Sequence, residues 1–205
     1  LNRLNLDIID CGIVRDDPAS LKRAFIDAAS KADVLISSGG VSVGEADFTK
    51  QIMQELGDVG FWKIAMRPGR PMAFGTLRPV AGKASESKTL FFGLPGNPVA
   101  VMVTFYQFVR QAMLSLMGQP SPAVLAMLNA VCVTPIKKLK GRTEFQRGIL
   151  FLAEDGSWKV KTTGNQSSGV LSSMSQGNCF IVLGEEVGNI EAGATVQVQL
   201  FDGVI

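Results

Sequence analysis

The 205-residue sequence has no histidine, a single tyrosine and three cysteines. Without imidazole there is no Ser-His-Asp chemistry, no His-ligated zinc and no His general base, so any proton transfer must use carboxylates, Lys, Tyr106, a thiol or metal-bound water. Cys11, Cys132 and Cys179 are far apart and form no C-x-x-C, which reads as reduced, mostly buried thiols of a cytoplasmic protein. No strong charge of either sign is present: 20 basic against 18 acidic residues give +2. No basic stripe with interleaved aromatics appears, so nucleic acid is not an expected partner. No signal-peptide pattern is read. The most apolar run, Val99 to Met117, is interrupted by Thr104, Gln107, Arg110 and Gln111, so it is expected to pack in a core and not to cross a membrane. The dinucleotide fingerprint G-x-G-x-x-G is missing too.

What is present is a short loop, Ser37-Ser38-Gly39-Gly40-Val41-Ser42-Val43-Gly44-Glu45-Ala46-Asp47. It follows the strand-like Asp33-Val34-Leu35-Ile36 and precedes a helical stretch, Asp47 to Leu56. A glycine-rich strand-to-helix turn brings backbone N–H groups close to a ligand, and the helix N-terminus adds partial positive charge. Gly39 and Gly44 have the spacing of the P-loop glycines, but Glu45 and Ala46 stand where Lys and Ser or Thr should follow, which excludes an ordinary nucleoside triphosphatase. The loop reads either as an anion or nucleotide site, with carboxylates for a divalent metal, or as a plain βα turn.

A second turn of the same kind, Gly93-Leu94-Pro95-Gly96-Asn97-Pro98, joins the apolar strand Thr89–Phe92 to the long helix. Asn97 suits the N-cap and Pro98 the first helical turn. Two such turns in one α/β segment would open at the same strand edge, where open α/β sheets bind ligands. Between them, Lys63-Ile64-Ala65-Met66-Arg67-Pro68-Gly69-Arg70-Pro71 displays Lys63, Arg67 and Arg70, which is an oxyanion site or a solvated basic turn.

The first part alternates strand and helix: strand Leu6–Val14, helix Pro18–Lys31 behind an Asp17 N-cap, the elements above, strand Val59–Ala65, and a hairpin of Met72–Leu77 with Thr89–Phe92. This predicts an α/β sheet covered on both faces. Gly118-Gln119-Pro120-Ser121-Pro122 reads as a linker. Beyond it, Val131–Ile136, Arg142–Leu152, Trp158–Thr162, Asn178–Leu183 and Thr195–Leu200 read as strands of a small β domain. Ala123–Ala130 is ambiguous, with an Ala and Leu content that favours helix. Phe145-Gln146-Arg147-Gly148 and the polar loop Gly164-Asn165-Gln166-Ser167-Ser168-Gly169 are its candidate functional segments, each equally readable as an exposed Arg and a polar turn.

Taken in order, Ser38 to Asp47, Met66 to Pro71 and Gly93 to Pro98, continued by Phe145–Gly148 and Gly164–Ser168, resemble the molybdopterin molybdenumtransferases, the MoeA/gephyrin family. The resemblance covers almost the whole chain. It implies an α/β three-layer molybdopterin-binding domain over residues 1–120, incomplete at its N-terminus, followed by a small all-β domain over 121–205. The family's N-terminal region, and the opening strand and helix with its Thr-Gly-Asp-Glu turn, are expected to be lacking, so the chain alone is expected to be inactive. The implied reaction is insertion of molybdate into adenylylated molybdopterin, with Mg²⁺ and release of AMP, in a protein that is a homodimer at full length.

Carried over residue by residue, the resemblance implies catalytic roles for Asp16, Asp47, Lys63 and Arg67. It implies substrate-binding roles for Ser38, Gly39, Gly40, Ser42, Gly44, Glu45, Arg70, Gly93, Pro95, Gly96, Asn97 and Pro98. Lys63, Arg67, Arg147 and Ser168 would hold molybdate, and Asp47 and Glu45 the metal. The family commonly has Lys-Pro-Gly-Lys-Pro where this chain has Arg67-Pro68-Gly69-Arg70-Pro71, so a guanidinium fork replaces each point charge. The alternatives are a scaffold or binding module of the same fold, a generic nucleotide-binding α/β protein, and the related enzyme that adenylylates molybdopterin. The last lacks a β domain, so residues 123–205 argue against it.

Overall fold

A computed structural model describes residues 1–40, 46–79, 88–120 and 126–201, with Ala46 and Asp47 as backbone only. The elements in chain order are α1 (Pro18–Lys31), β1 (Val34–Ser38), α2 (Ala46–Leu56), β2 (Gly57–Lys63), β3 (Met66–Arg67), β4 (Pro71–Leu77), β5 (Thr89–Leu94) and α3 (Pro98–Leu116). They continue with β6 (Leu128–Cys132), β7 (Thr143–Leu152), β8 (Trp158–Thr162), α4 (Ser172–Gln176), β9 (Cys179–Leu183) and β10 (Thr195–Leu200). The chain divides into two compact units, one of Leu1–Ile64 with Arg70–Gly96, the other of Ala65–Gly69 with Asn97–Ile205.

The first unit is a mixed sheet in the order β1-β5-β4-β2, with β1 parallel to β5 and the other pairs antiparallel. Helix α1 starts where Asp17 accepts a hydrogen bond from the Ser20 N–H at 2.9 Å, with Pro18 in the first turn. One buried cluster joins Phe25 and Ala29 of α1, Ile52 and Met53 of α2, and Leu35, Val59, Ala73, Leu77 and Phe91 of the strands. The two helices therefore share a face of the sheet. Phe74 and Phe92 stack on one another with ring centres 4.9 Å apart.

The expected strand Leu6–Val14 is not formed. Residues 6–15 have no regular structure, and Ile8, Ile9 and Ile13 are exposed. A strand exists only where a neighbour supplies its hydrogen bonds. Edge strand β1 pairs with β5 alone, and no described strand takes up the segment.

In the second unit β7, β8, β6, β10 and β9 close into a five-stranded barrel through the β7–β9 pairing. Closure removes the sheet edges. Strand β7 uses its first half to pair with β9 and its second half to pair with β8, turning at Gly148, which belongs to both ladders. A Cβ on Gly148 would lie 2.8 Å from Ile181 and 3.0 Å from both Cys179 and Val160, so only glycine fits this corner. Ala130, Cys132, Leu150, Val160, Ile181, Leu183, Val196 and Val198 fill the interior. The two-residue strand β3, unforeseen in the sequence, runs parallel to the start of β7. Strand β6 begins at Leu128, which overrides the helical preference of Ala123–Ala130 at its described end.

Helix α3 is long and apolar enough to cross a membrane by length and composition alone, but Val99, Val103, Thr104, Val109 and Met113 are buried. Tyr106 packs against Phe180 of the barrel, with ring centres 6.2 Å apart, and Gln107 donates to the Gln199 side chain at 2.8 Å. A wide turn, Phe105–Val109, interrupts its regular hydrogen bonding.

Candidate functional site

The two glycine-rich turns of the first unit leave adjacent parallel strands at the same end. Ser37 pairs with Gly93 and Ser38 with Leu94, and the chains remain joined beyond the ladder. The Gly39 N–H donates to the Leu94 carbonyl at 3.0 Å, and the Ser38 hydroxyl to the Pro95 carbonyl at 3.4 Å. Gly39 has φ 95°, which an L side chain rarely adopts, and a Cβ on Gly96 would touch the Gly39 Cα at 3.5 Å. The expectation of one shared strand edge for both turns is met.

Ser42, Gly44 and Glu45 lie outside the described residues, and Asp47 is known only as the second residue of α2. Asp16 is exposed beside the N-cap Asp17 and makes no hydrogen bond among the described residues. Lys63 ends β2, and Arg70 precedes β4. Both side chains are exposed, and the Arg70 carbonyl accepts from the Ile64 N–H at 2.8 Å. Gly93 and Pro95 are buried and Gly40 half-buried.

The second unit contains a cleft of about 280 Å³ lined by Arg67, Pro68, Glu144, Gln146, Arg147 and Gln166, among others. Arg147 is 1% exposed. Its Nε donates to the Ser173 hydroxyl at 2.9 Å, and its Nη2 to the Ser167 carbonyl at 3.1 Å and the Asn165 carbonyl at 3.5 Å. Gln166 grips the same residue's backbone, accepting from its N–H at 2.8 Å and donating to its carbonyl at 3.1 Å. The polar loop thus folds around Arg147, and the guanidinium has no carboxylate partner among the described residues. Burial pushes its pKa down, and the positive charge of Arg67 pushes it further in the same direction. An arginine nevertheless stays protonated. A buried cation of this kind, beside a second cation in a cleft, has the chemistry to receive an anion.

Arg67 is joined by a cis peptide bond to Pro68 and faces Glu144, with Nη1 to Oε1 at 3.7 Å. Sequence reasoning missed Glu144 and Ser173. The available signal was Glu144-x-Gln146-Arg147, a polar series on a strand whose neighbours are apolar.

Ser168 does not line this cleft, and its hydroxyl accepts from the Asn97 amide at 3.0 Å. Asn97 occupies the N-cap position before Pro98 but makes no capping bond, because its side chain is committed to Ser168. Its Oδ1 is buried without a partner among the described residues. Among the described residues no three His, Cys, Asp or Glu side chains group as a metal site.

The chain thus joins an α/β unit with paired glycine turns to a barrel with a cationic cleft, and comparison with known proteins assigns this class. Residues 1–115 match the family described as "Probable molybdopterin binding domain", and residues 129–201 match the "MoeA C-terminal region (domain IV)". The molybdopterin molybdenumtransferase of Haemophilus influenzae is 43% identical over the whole chain, and the gephyrin of Dictyostelium discoideum is 35% identical over 96% of it. A solved molybdopterin biosynthesis MoeA protein from Pyrococcus horikoshii superposes over 93% of this chain and 42% of its own, with TM-score 0.69 and 28% identity. A molybdenum cofactor biosynthesis protein from Pyrococcus furiosus superposes over 94% and 58%, with TM-score 0.68 and 26% identity. The chain belongs to the MoeA/gephyrin family of molybdopterin molybdenumtransferases. It spans 48% of the Haemophilus protein and 29% of the gephyrin, and fits the C-terminal portion of such proteins.

Proposed function

We propose that this chain is the part of a molybdopterin molybdenumtransferase that binds both substrates for the insertion of molybdate into adenylylated molybdopterin with release of AMP. The single observation that carries this reading is Arg147, a buried guanidinium with no carboxylate partner among the described residues, in a cleft with Arg67. A tetrahedral dianion such as molybdate supplies the missing countercharge and takes charge-assisted hydrogen bonds from Arg67 and from the Arg147 Nη1, which donates to no described residue. Lys63 and Ser168 belong to the same proposal by resemblance, although Ser168 would act through its hold on Asn97.

In the first unit, the backbone N–H groups of Gly40 and Gly96 suit the phosphates and the pterin, which need close approach and donors more than charge. By resemblance Ser38, Ser42, Gly44, Arg70 and Gly93 complete that substrate set, and Asn97 and Pro98, which belong to the second unit, are assigned to the same substrate. Mg²⁺ is placed on Asp47 and Glu45, where it would neutralise the phosphoanhydride. Asp16 is the supporting carboxylate, and its exposure leaves it free to act. The three-layer α/β description and a division near residue 120 are part of the reading, the latter supported by the family matches over 1–115 and 129–201. So are a homodimer at full length and a cytoplasmic setting, the second supported by the unpaired Cys132 and Cys179.

Calorimetry of adenylylated molybdopterin with Mg²⁺ on the chain and on Asp47→Ala tests it, with NADH and ATP run alongside. The expected result is pterin-nucleotide binding that weakens in the variant. Binding of NADH or ATP in place of the pterin nucleotide would refute the reading.

A further inference from the structure

The cleft that holds Arg67 and Arg147 also holds a carboxylate, which is unexpected in a receptor for an anion. Glu144 is buried, with its side chain 8% exposed, and lies 3.7 Å from Arg67, whose side chain is 62% exposed. The other carboxylate oxygen accepts from the Gln146 amide at 2.9 Å, and that amide also donates to the Lys137 carbonyl at 3.3 Å. The carboxylate is thus fixed in the wall, whereas the Arg67 side chain is largely free to swing. The ion pair is also long, beyond hydrogen-bonding distance. Arg147 sits three positions along the same strand and has no carboxylate of its own among the described residues.

We propose that Glu144 is a built-in competitor for Arg67, which sets how tightly this cleft holds a tetrahedral oxyanion. The proposal rests on the oxyanion reading above and adds to it the residue that limits affinity. With the cleft empty, Glu144 holds Arg67 and leaves Arg147 as the unmatched cation. An arriving dianion is drawn to Arg147 and must win Arg67 from Glu144 while lying close to a fixed negative charge. A like charge a few ångströms away in a partly desolvated site opposes binding strongly. For a cargo that must be handed on, this is an advantage, because holding the ground state ever more tightly adds nothing to turnover.

Removing the charge while keeping the shape is therefore predicted to improve binding, the opposite of what damage to a merely structural residue does. The amide of Glu144→Gln can still accept from Gln146. Sodium molybdate is titrated calorimetrically into the unaltered chain, Glu144→Gln, Arg67→Gln and the double variant, with circular dichroism as a check of folding. The expected result is at least tenfold tighter binding in Glu144→Gln, and a clearly smaller gain when the change is made in the Arg67→Gln background, because the two residues are coupled. Should Glu144→Gln fail to fold, Glu144→Asp gives the same readout, since shortening the side chain draws the carboxylate away from Arg67. Equal or weaker binding in a folded Glu144 variant, with the unaltered chain binding molybdate, overturns this proposal and leaves the oxyanion reading standing. Absence of molybdate binding in every form overturns both.

Discussion

On the proposed reading the two units would recognise anions by different physics. In the α/β unit the candidate surface is backbone: Gly39 and Gly96 approach closely at the ends of two parallel strands. The specificity of such a surface lies in where the main chain runs, and single side chains add little. In the barrel unit the candidate surface is one charge on β7, held by the Ser173 hydroxyl of α4 and the Ser167 carbonyl of the 164–168 loop, while the Gln166 side chain holds the Arg147 backbone. There a single substitution should be decisive. The lesson is that glycine strain and buried charge can be tested separately, one unit at a time.

The sharpest way to break the comparison is Arg147→Met. It removes the uncompensated charge and keeps an unbranched side chain of similar reach. Molybdate affinity should fall about 100-fold, within the roughly 2–5 kcal/mol typical of truncating a desolvated charge contact. The melting temperature should fall only modestly, because the loop carbonyls lose their donor while the cost of burying a charge is relieved. Calorimetry and a thermal melt measure the two effects, and a melt that collapses in parallel with binding would mean that Arg147 is structural.

Gly148→Ala comes next. The added methyl meets three packed side chains at the barrel corner, so the barrel should lose about 1–3 kcal/mol in a denaturant titration. Gly39→Ala meets nothing within 4 Å but must hold φ 95°. The strain should be about 1–2 kcal/mol, felt in the first unit alone. Pterin-nucleotide binding should weaken while molybdate binding is unchanged. An equal effect on both ligands would erase the distinction between the units.

The smallest effect at neutral pH concerns Cys179. Burial raises its thiol from 9.0 to about 12. In that window the folded barrel keeps a proton that the unfolded chain has lost. The contribution is therefore complete below pH 9 and declines as the pH rises from there towards 12. Cys179→Ala should flatten the alkaline limb of stability followed by circular dichroism, and leave the neutral region with only the loss of packing.

Local patterns made the α/β unit legible. The Asp17 cap, the Met72–Leu77 hairpin and both strand-to-helix turns were readable because each depends on neighbours in sequence. Leu6–Val14 was misread because apolar content does not supply a pairing strand. Asn97 takes the N-cap position as read, but that its side chain turns to Ser168, 71 residues away, was not legible. In the barrel the strands were readable but their closure was not, since β7 divides its pairing between β8 and β9 at one glycine. Arg147 was visible as a candidate. That it is buried depends on the 164–168 loop and α4 folding around it, and that Glu144 stands against Arg67 depends on β3 lying beside β7, contacts between distant segments that no local pattern encodes.

The most direct test of the central claim is to locate the oxyanion. A crystal of the chain soaked in molybdate or tungstate, read at the metal's absorption edge, shows the heavy atom by its anomalous signal. The account predicts one strong peak in the cleft within hydrogen-bonding reach of the oxyanion on Arg67 and Arg147, absent in Arg147→Met. A peak at the glycine turns of the first unit, with the cleft empty, would contradict it.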